Sequence, residues 1–398
     1  MTDLAKIGAA FALIVLLLRL RWNLGLVMLT GALFLGSIYR IGPAGQLRVL
    51  LSSSGDLVTI NLVAGLALIM VLENIIRKRG VLKRMMEAVV NVARDRRIAV
   101  AVLPAVIGLL PSAGGAAFSA PMVQEASADA EITPERKAFI NYWFRHIWEY
   151  ISPLYPGIVL AAAITKIPVN KLLLSQLPLP IALIAVGSLL GFRGMPVQAI
   201  AGKRDWNEIK TLFLTLLPIT ASVVLVVVFK LQLAAAMASI VVVMLLYYRY
   251  SAGELRTTLR ESVSFNVMLM VVGIMFFKGM LEASGAIEAL PAFFSQSGLP
   301  PAVVIFALPF IVGLLTGLTV GFVGATFPII TAMLGGHPDP ATVTFAFASG
   351  FAGVMLSPTH LCLLLTIRYF KADMAGTYRL MYLPVFFVFL VGLIRLWL

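Results

Sequence analysis

Apolar stretches close to the ~20 residues that cross a hydrocarbon core about 30 Å thick follow one another along the whole chain. They lie near 4–20, 24–40, 56–77, 138–165, 171–193, 208–229, 231–249, 262–282, 342–368 and 377–397. Two further apolar segments, near 98–124 and 301–331, carry Pro and Gly in their middles, so neither reads as one straight helix. The pattern predicts an all-α polytopic membrane protein with about ten transmembrane helices plus two re-entrant hairpins.

The pattern also repeats. Leu103-Pro104 to Gly108-Leu109-Leu110 reads LPAVIGLL, and Leu308-Pro309 to Gly313-Leu314-Leu315 reads LPFIVGLL, 205 residues later. Ile151-Ser152-Pro153 and Leu356-Ser357-Pro358 share that offset. Adding 205 to the first five span starts lands on the last five. This divides the chain into repeats at 1–193 and 208–398, joined by a polar cytoplasmic linker at 194–207. An odd number of spans per repeat inverts the second copy in the bilayer. Charge agrees: with the basic run Arg77 to Arg97 in the cytoplasm, Lys203, Arg204, Arg256, Arg260 and Lys371 also fall inside. Both termini are then outside, in a multi-pass protein of the inner (cytoplasmic) membrane. Residues 78–97 and 283–298 read as helices lying along the surface.

Interrupted helices concentrate the candidate chemistry. Ile98 to Leu110 would rise only about 20 Å as a helix, too short to cross. It meets Pro111-Ser112-Ala113-Gly114-Gly115; the matching tip is Thr316-Gly317-Leu318-Thr319. The spans 138–165 and 342–368 are predicted to break at Ser152-Pro153-Leu154-Tyr155-Pro156-Gly157 and at Ser357-Pro358-Thr359-His360. Non-helical backbone at that depth needs protein or a wet cavity around it. Freed carbonyls suit Na+, and freed amides suit a carboxylate. Arg145, His146 and Glu149 precede the first break. Arg145 and Glu149, four apart, would share a helix face; Arg145 reads as an anion contact and Glu149 or His146 as a proton carrier, the alternative being an internal ion pair or snorkelling toward the cytoplasm. His360 sits inside the second break, as a site residue or a hydrogen-bonded structural one.

Composition narrows the classes. Of 398 residues, 60% are hydrophobic and 12% charged, far from the roughly one quarter charged in soluble domains. The net charge of +13 sits between apolar spans, which argues for membrane orientation and against nucleic acid. The single cysteine, Cys362, excludes an intramolecular disulfide and is read as leaving no zinc or iron–sulfur cluster, hence no metal site and no resident cofactor beyond a bound Na+. His146, His337 and His360 form no HExxH motif, and there is no Walker A motif.

PSAGGAAFSAP at 111–121 and FRHIWEYISPLYPG at 144–157 resemble an uncharacterised family of integral membrane proteins assigned to the ion-transporter superfamily. That superfamily includes gluconate permeases and C4-dicarboxylate, citrate and arsenite carriers. The order of parts is similar over the whole chain. The resemblance implies a scaffold, a moving transport domain and a homodimer. It also implies binding at Ser112, Gly114, Gly115, Ser152, Pro153, Thr316, Gly317, Thr319, Ser357, Pro358 and Thr359. The chain lacks the Ser-Asn-Thr signatures of the dicarboxylate branch.

The expectation is a secondary transporter, not an enzyme. It would move a small carboxylate-type organic anion coupled to Na+ or H+ across the lipid bilayer. The alternatives are a cation/proton antiporter, a channel, a pump subunit and a membrane-embedded enzyme.

Overall fold

The computed structural model describes residues 3–93, 95–111, 115–128, 132–195, 205–285 and 300–397. Among these residues there is no strand. The helices of the first half are α1 (Asp3–Arg19), α2 (Leu24–Ile38), α3 (Pro43–Gly55), α4 (Leu57–Lys78), α5 (Val81–Val92), α6 (Arg96–Ile107), α7 (Ala116–Ala126), α8 (Pro134–Arg145), α9 (Pro156–Thr165), α10 (Val169–Gln176) and α11 (Pro178–Gly191). Those of the second are α12 (Trp206–Val227), α13 (Leu233–Tyr247), α14 (Ala252–Ser262), α15 (Phe265–Ala283), α16 (Pro301–Thr316), α17 (Thr319–Met333), α18 (Pro340–Met355), α19 (Leu361–Phe370) and α20 (Met374–Trp397).

Local chemistry sets the boundaries. Asn23, Asp95, Thr133, Asp205 and Asp339 each accept a backbone N–H at a helix start, and Ser251 with Glu254 forms a capping box before α14. Among the described residues, six non-glycine residues take left-handed backbone at or just beyond helix ends, and all are basic: Arg21, Arg40, Lys166, Lys230, Arg249 and Lys371. The cost of that conformation is set against a cation placed beside the helix's negative end.

Among the described residues, five segments are long and apolar enough to cross a membrane: Leu57–Lys78, Val169–Gly191, Trp206–Val227, Phe265–Ala283 and Met374–Trp397. Large apolar side chains such as Leu189, Phe213, Phe229, Leu246 and Phe265 are exposed. A protein surrounded by water would bury most of that surface. These are the features of a helical membrane protein.

The structure departs from the sequence pattern in detail. Each of the segments 138–165 and 342–368 is two helices, as their internal prolines predict, but the first helix of each pair ends before the prolines, at Arg145 and Met355. The turns before α4 and α15 hold the short helices α3 and α14, which hydropathy does not reveal. The predicted surface helix at 78–97 is the end of α4 followed by α5; its counterpart at 283–298 lies largely outside the described residues, as does most of the linker at 194–207. The spacing between the halves is also not uniform. Both bounds of α2 and α13 differ by 209 residues, whereas both bounds of α9 and α19 differ by 205.

By packing, the helices sort into two groups that cut across the halves. One comprises α1–α5 with α12–α15, the other α6–α11 with α16–α20. Partners exchange between halves: α2 packs on α15 while α13 packs on α4, and α9 packs on α17 while α19 packs on α7. Such an exchange is what an approximate two-fold relation between halves produces. Contact between the groups is thinner, as where α9 meets α4 and α15. A cavity of about 490 Å³ opens between α9, α4 and the turn from α12 to α13, lined by Asn61, Pro153, Val159, Lys166 and Lys230 among others.

Candidate functional site

The first break begins earlier than its prolines. In a continuing helix the His146 amide would bond the Tyr142 carbonyl. Here that carbonyl takes the His146 ring nitrogen Nδ1 at 2.6 Å, and the His146 amide bonds the Trp143 carbonyl instead. The chain tightens into a 3₁₀ turn, Ile147–Tyr150, and then runs without helix to Pro156. The i,i+4 helix-face argument for Arg145 and Glu149 therefore does not apply.

A close backbone approach accompanies the break. A Cβ on Gly108 would lie 2.0 Å from the Arg145 carbonyl oxygen. In the other half a Cβ on Gly313 would lie 2.2 Å from the Gly350 carbonyl oxygen. Both members of the second pair stand 205 residues after those of the first.

Each break also caps the helix it touches. The last carbonyls of a helix have no partner within it. At the end of α6, Trp148 Nε1 donates to the Ala105 carbonyl at 2.7 Å, and the Tyr155 hydroxyl donates to the Gly108 carbonyl at 2.5 Å. At the end of α16, the Ser357 hydroxyl donates to the Leu314 carbonyl at 2.7 Å, and the Thr359 hydroxyl to the Leu315 carbonyl at 3.3 Å. Carbonyls expected to face an ion thus already accept side-chain hydrogen bonds.

Between the breaks lies a buried polar cluster drawn from both halves. His146 Nε2 stands 3.2 Å from His360 Nε2 and 3.7 Å from Glu149 Oε1. The other carboxylate oxygen, Oε2, accepts from the Thr319 hydroxyl at 2.5 Å. The Tyr142 ring lies edge-on to both imidazoles, with centroids 4.6 and 5.3 Å away. Asn141 Nδ2 donates to the Ala116 carbonyl and to Thr366 Oγ1, tying α8 to α7 and α19.

The sequence-predicted residues fall in different places. Ser112 and Gly114 lie outside the described residues. Gly115 is buried at the start of α7. Ser152 is buried within the first break, and Pro153 reaches the cavity. The Thr316 hydroxyl bonds back to the Val312 carbonyl of its own helix at 2.8 Å. Gly317 is left-handed, with φ +62°, and packs on the His360 backbone. Pro358 and Thr359 are exposed. Arg145 is buried beside His146.

Sequence reasoning missed Asn141, Tyr142 and Cys362. Asn141 is legible in retrospect as a polar residue one turn before Arg145. Cys362 is two residues past His360, and its sulfur and one ring nitrogen each of His146 and His360 all lie within 4.8 Å of one another. Counting cysteines alone had excluded a metal cluster there.

A family described as "Protein of unknown function (DUF401)" matches residues 4–398. The chain belongs to that family. The match spans both interrupted helices and both hairpin segments of this DUF401 protein, so the whole site lies within the family's shared region. No curated protein matches it.

Proposed function

We propose that this DUF401 protein is a secondary active transporter of a small carboxylate-type organic anion, with the ion-transporter superfamily as its distant kin. The reading places two inverted copies in the bilayer and alternates access to a pocket between the two helix breaks. The observation that carries it is the meeting of His146 and Glu149 with His360 and Thr319. Ionisable groups inside a membrane protein are costly and mark substrate or ion pathways. A site whose side chains come from both halves can be exposed to one side or the other as the packing groups shift.

Two features refine the reading. Glu149, His146 and His360 are three proton-bearing groups in one chain of contacts, whereas the nearby helix-end carbonyls are already hydrogen-bonded. This favours H+ over Na+ as the coupling ion. Lys166 and Lys230 at the cavity beside Pro153 supply positive charge where an anion would enter. The test is uptake by proteoliposomes under imposed pH and Na+ gradients over a panel of mono-, di- and tricarboxylates. The expected result is saturable flux driven by an inward proton gradient. Absence of gradient-dependent flux across the panel overturns the proposal, and flux driven only by Na+ overturns the coupling.

A further inference from the structure

The geometry points to a second ligand for the polar cluster. We infer that His146, His360 and Cys362 form a binding site for a divalent transition-metal ion of the zinc class, which clamps the two halves at their breaks.

Two nitrogens bound to one tetrahedral zinc at ~2.05 Å stand about 3.3 Å apart. His146 Nε2 and His360 Nε2 stand 3.2 Å apart. The Cys362 sulfur is within 4.8 Å of one ring nitrogen of each histidine, and a sulfur and a nitrogen on one such ion stand about 3.6 Å apart. Closing that gap needs a shift of at most about 1.2 Å. The donor set of two imidazoles and one sulfur suits zinc and its borderline neighbours and does not suit magnesium or calcium.

The surroundings fit a ligand role. The Nδ1–H of His146 donates to the Tyr142 carbonyl, which leaves the Nε2 lone pair facing the site. Among the described residues, buried His360 Nδ1 has no hydrogen-bond partner. With His146 Nε2 as acceptor, His360 donates from its own Nε2. On metal entry that proton moves to Nδ1 and frees Nε2 as a ligand. The thiol proton of Cys362 leaves to water as the metal–sulfur bond forms. Tyr142 and Phe351 wall off the imidazoles, and Glu149 Oε1 flanks His146 Nε2 beside the fourth position.

His146 precedes the first break, His360 ends the second, and Cys362 lies in the first turn of α19 beyond it. An ion held by all three would tie the halves together. Binding stands without the transport reading; only the arrest of transport rests on it.

The test is a Co2+ titration of the purified full-length protein. The expected result is about one ion per chain with tetrahedral visible bands and a near-ultraviolet thiolate charge-transfer band. Zn2+ should displace Co2+ and raise the melting temperature. Cys362→Ser should lose the charge-transfer band and weaken affinity tenfold or more. His360→Ala should lose the tetrahedral spectrum. Each variant's melting temperature without metal checks that it folds. In proteoliposomes, Zn2+ should slow flux by wild type but not by Cys362→Ser. No saturable Co2+ binding, or an unchanged spectrum in Cys362→Ser, overturns the site. Binding with flux insensitive to Zn2+ overturns the clamp.

Discussion

Gly108 and Gly313 each stand where another chain segment's carbonyl oxygen occupies the space of a methyl group. Alanine at either position must push two elements apart, at about 1–3 kcal/mol for overpacking. We expect Gly108→Ala and Gly313→Ala to lower the melting temperature in a detergent thermal-stability assay. Gly42→Ala, with open space around its Cβ position and φ −64°, should leave it unchanged. Glu149 tests the chemistry at the same scale. Glu149→Gln retains an acceptor for the Thr319 hydroxyl but cannot carry a proton. Proton-driven uptake should vanish while substrate exchange across the membrane, which needs no net proton movement, persists. Loss of both would assign Glu149 to structure. Residues such as Ser357 and His360 were legible because polar groups beside prolines stand out in an apolar run. Cys362 was not, because His146, near which it folds, is distant in the chain and no local pattern marks that approach.

The elements repeat this contrast. That two spans would break was legible from Pro153, Pro156 and Pro358. Where the first breaks was not, because its onset depends on the His146 ring replacing a backbone donor and on Gly108 approaching from another helix. The helices α3 and α14 escaped hydropathy because their composition is mixed, although the Gly42-Pro43 start and the Ser251–Glu254 box are ordinary helix-start signals. At the start of α8, Glu135 joins two elements: its carboxylate accepts from the Asp373 amide at 3.1 Å, just before α20. That hydrogen bond, above all, holds Glu135 below the ordinary value of 4.5. A lowered carboxylate stabilises the fold above its unfolded value, and the contribution disappears as pH falls through the folded one. Thermal stability should therefore decline on acidification below about pH 4.5, and Glu135→Gln should flatten that part of the curve. Equal acid sensitivity in the variant would remove Glu135 as a contributor.

At the scale of the molecule, the two packing groups matter more than the two halves. The sequence made the halves visible through LPAVIGLL and LPFIVGLL; it could not show that each half contributes to both groups, because long-range packing leaves no local signature. Val58 of one group and Ala163 of the other line the cavity between them. A double variant, Val58→Cys with Ala163→Cys in a Cys362→Ser background, should carry flux until a bifunctional thiol reagent bridges the pair. Flux should then stop and return when a cleavable bridge is cut. Undiminished flux in the bridged protein would rule out relative movement of the groups there.

The six basic residues with left-handed backbone have a consequence for biogenesis. In the proposed inverted arrangement Arg21, Arg249 and Lys371 would face the cytoplasm, and Arg40, Lys166 and Lys230 the opposite compartment. Three against three, they give the insertion machinery no vote on which way round the nascent chain is threaded. That decision rests on the remaining cations, chiefly Lys83, Arg84 and Arg96. Replacing those three with glutamine should yield a mixed population of orientations, read by a reporter fused to the C-terminus, while neutralising the six bends together should leave the insertion unmixed.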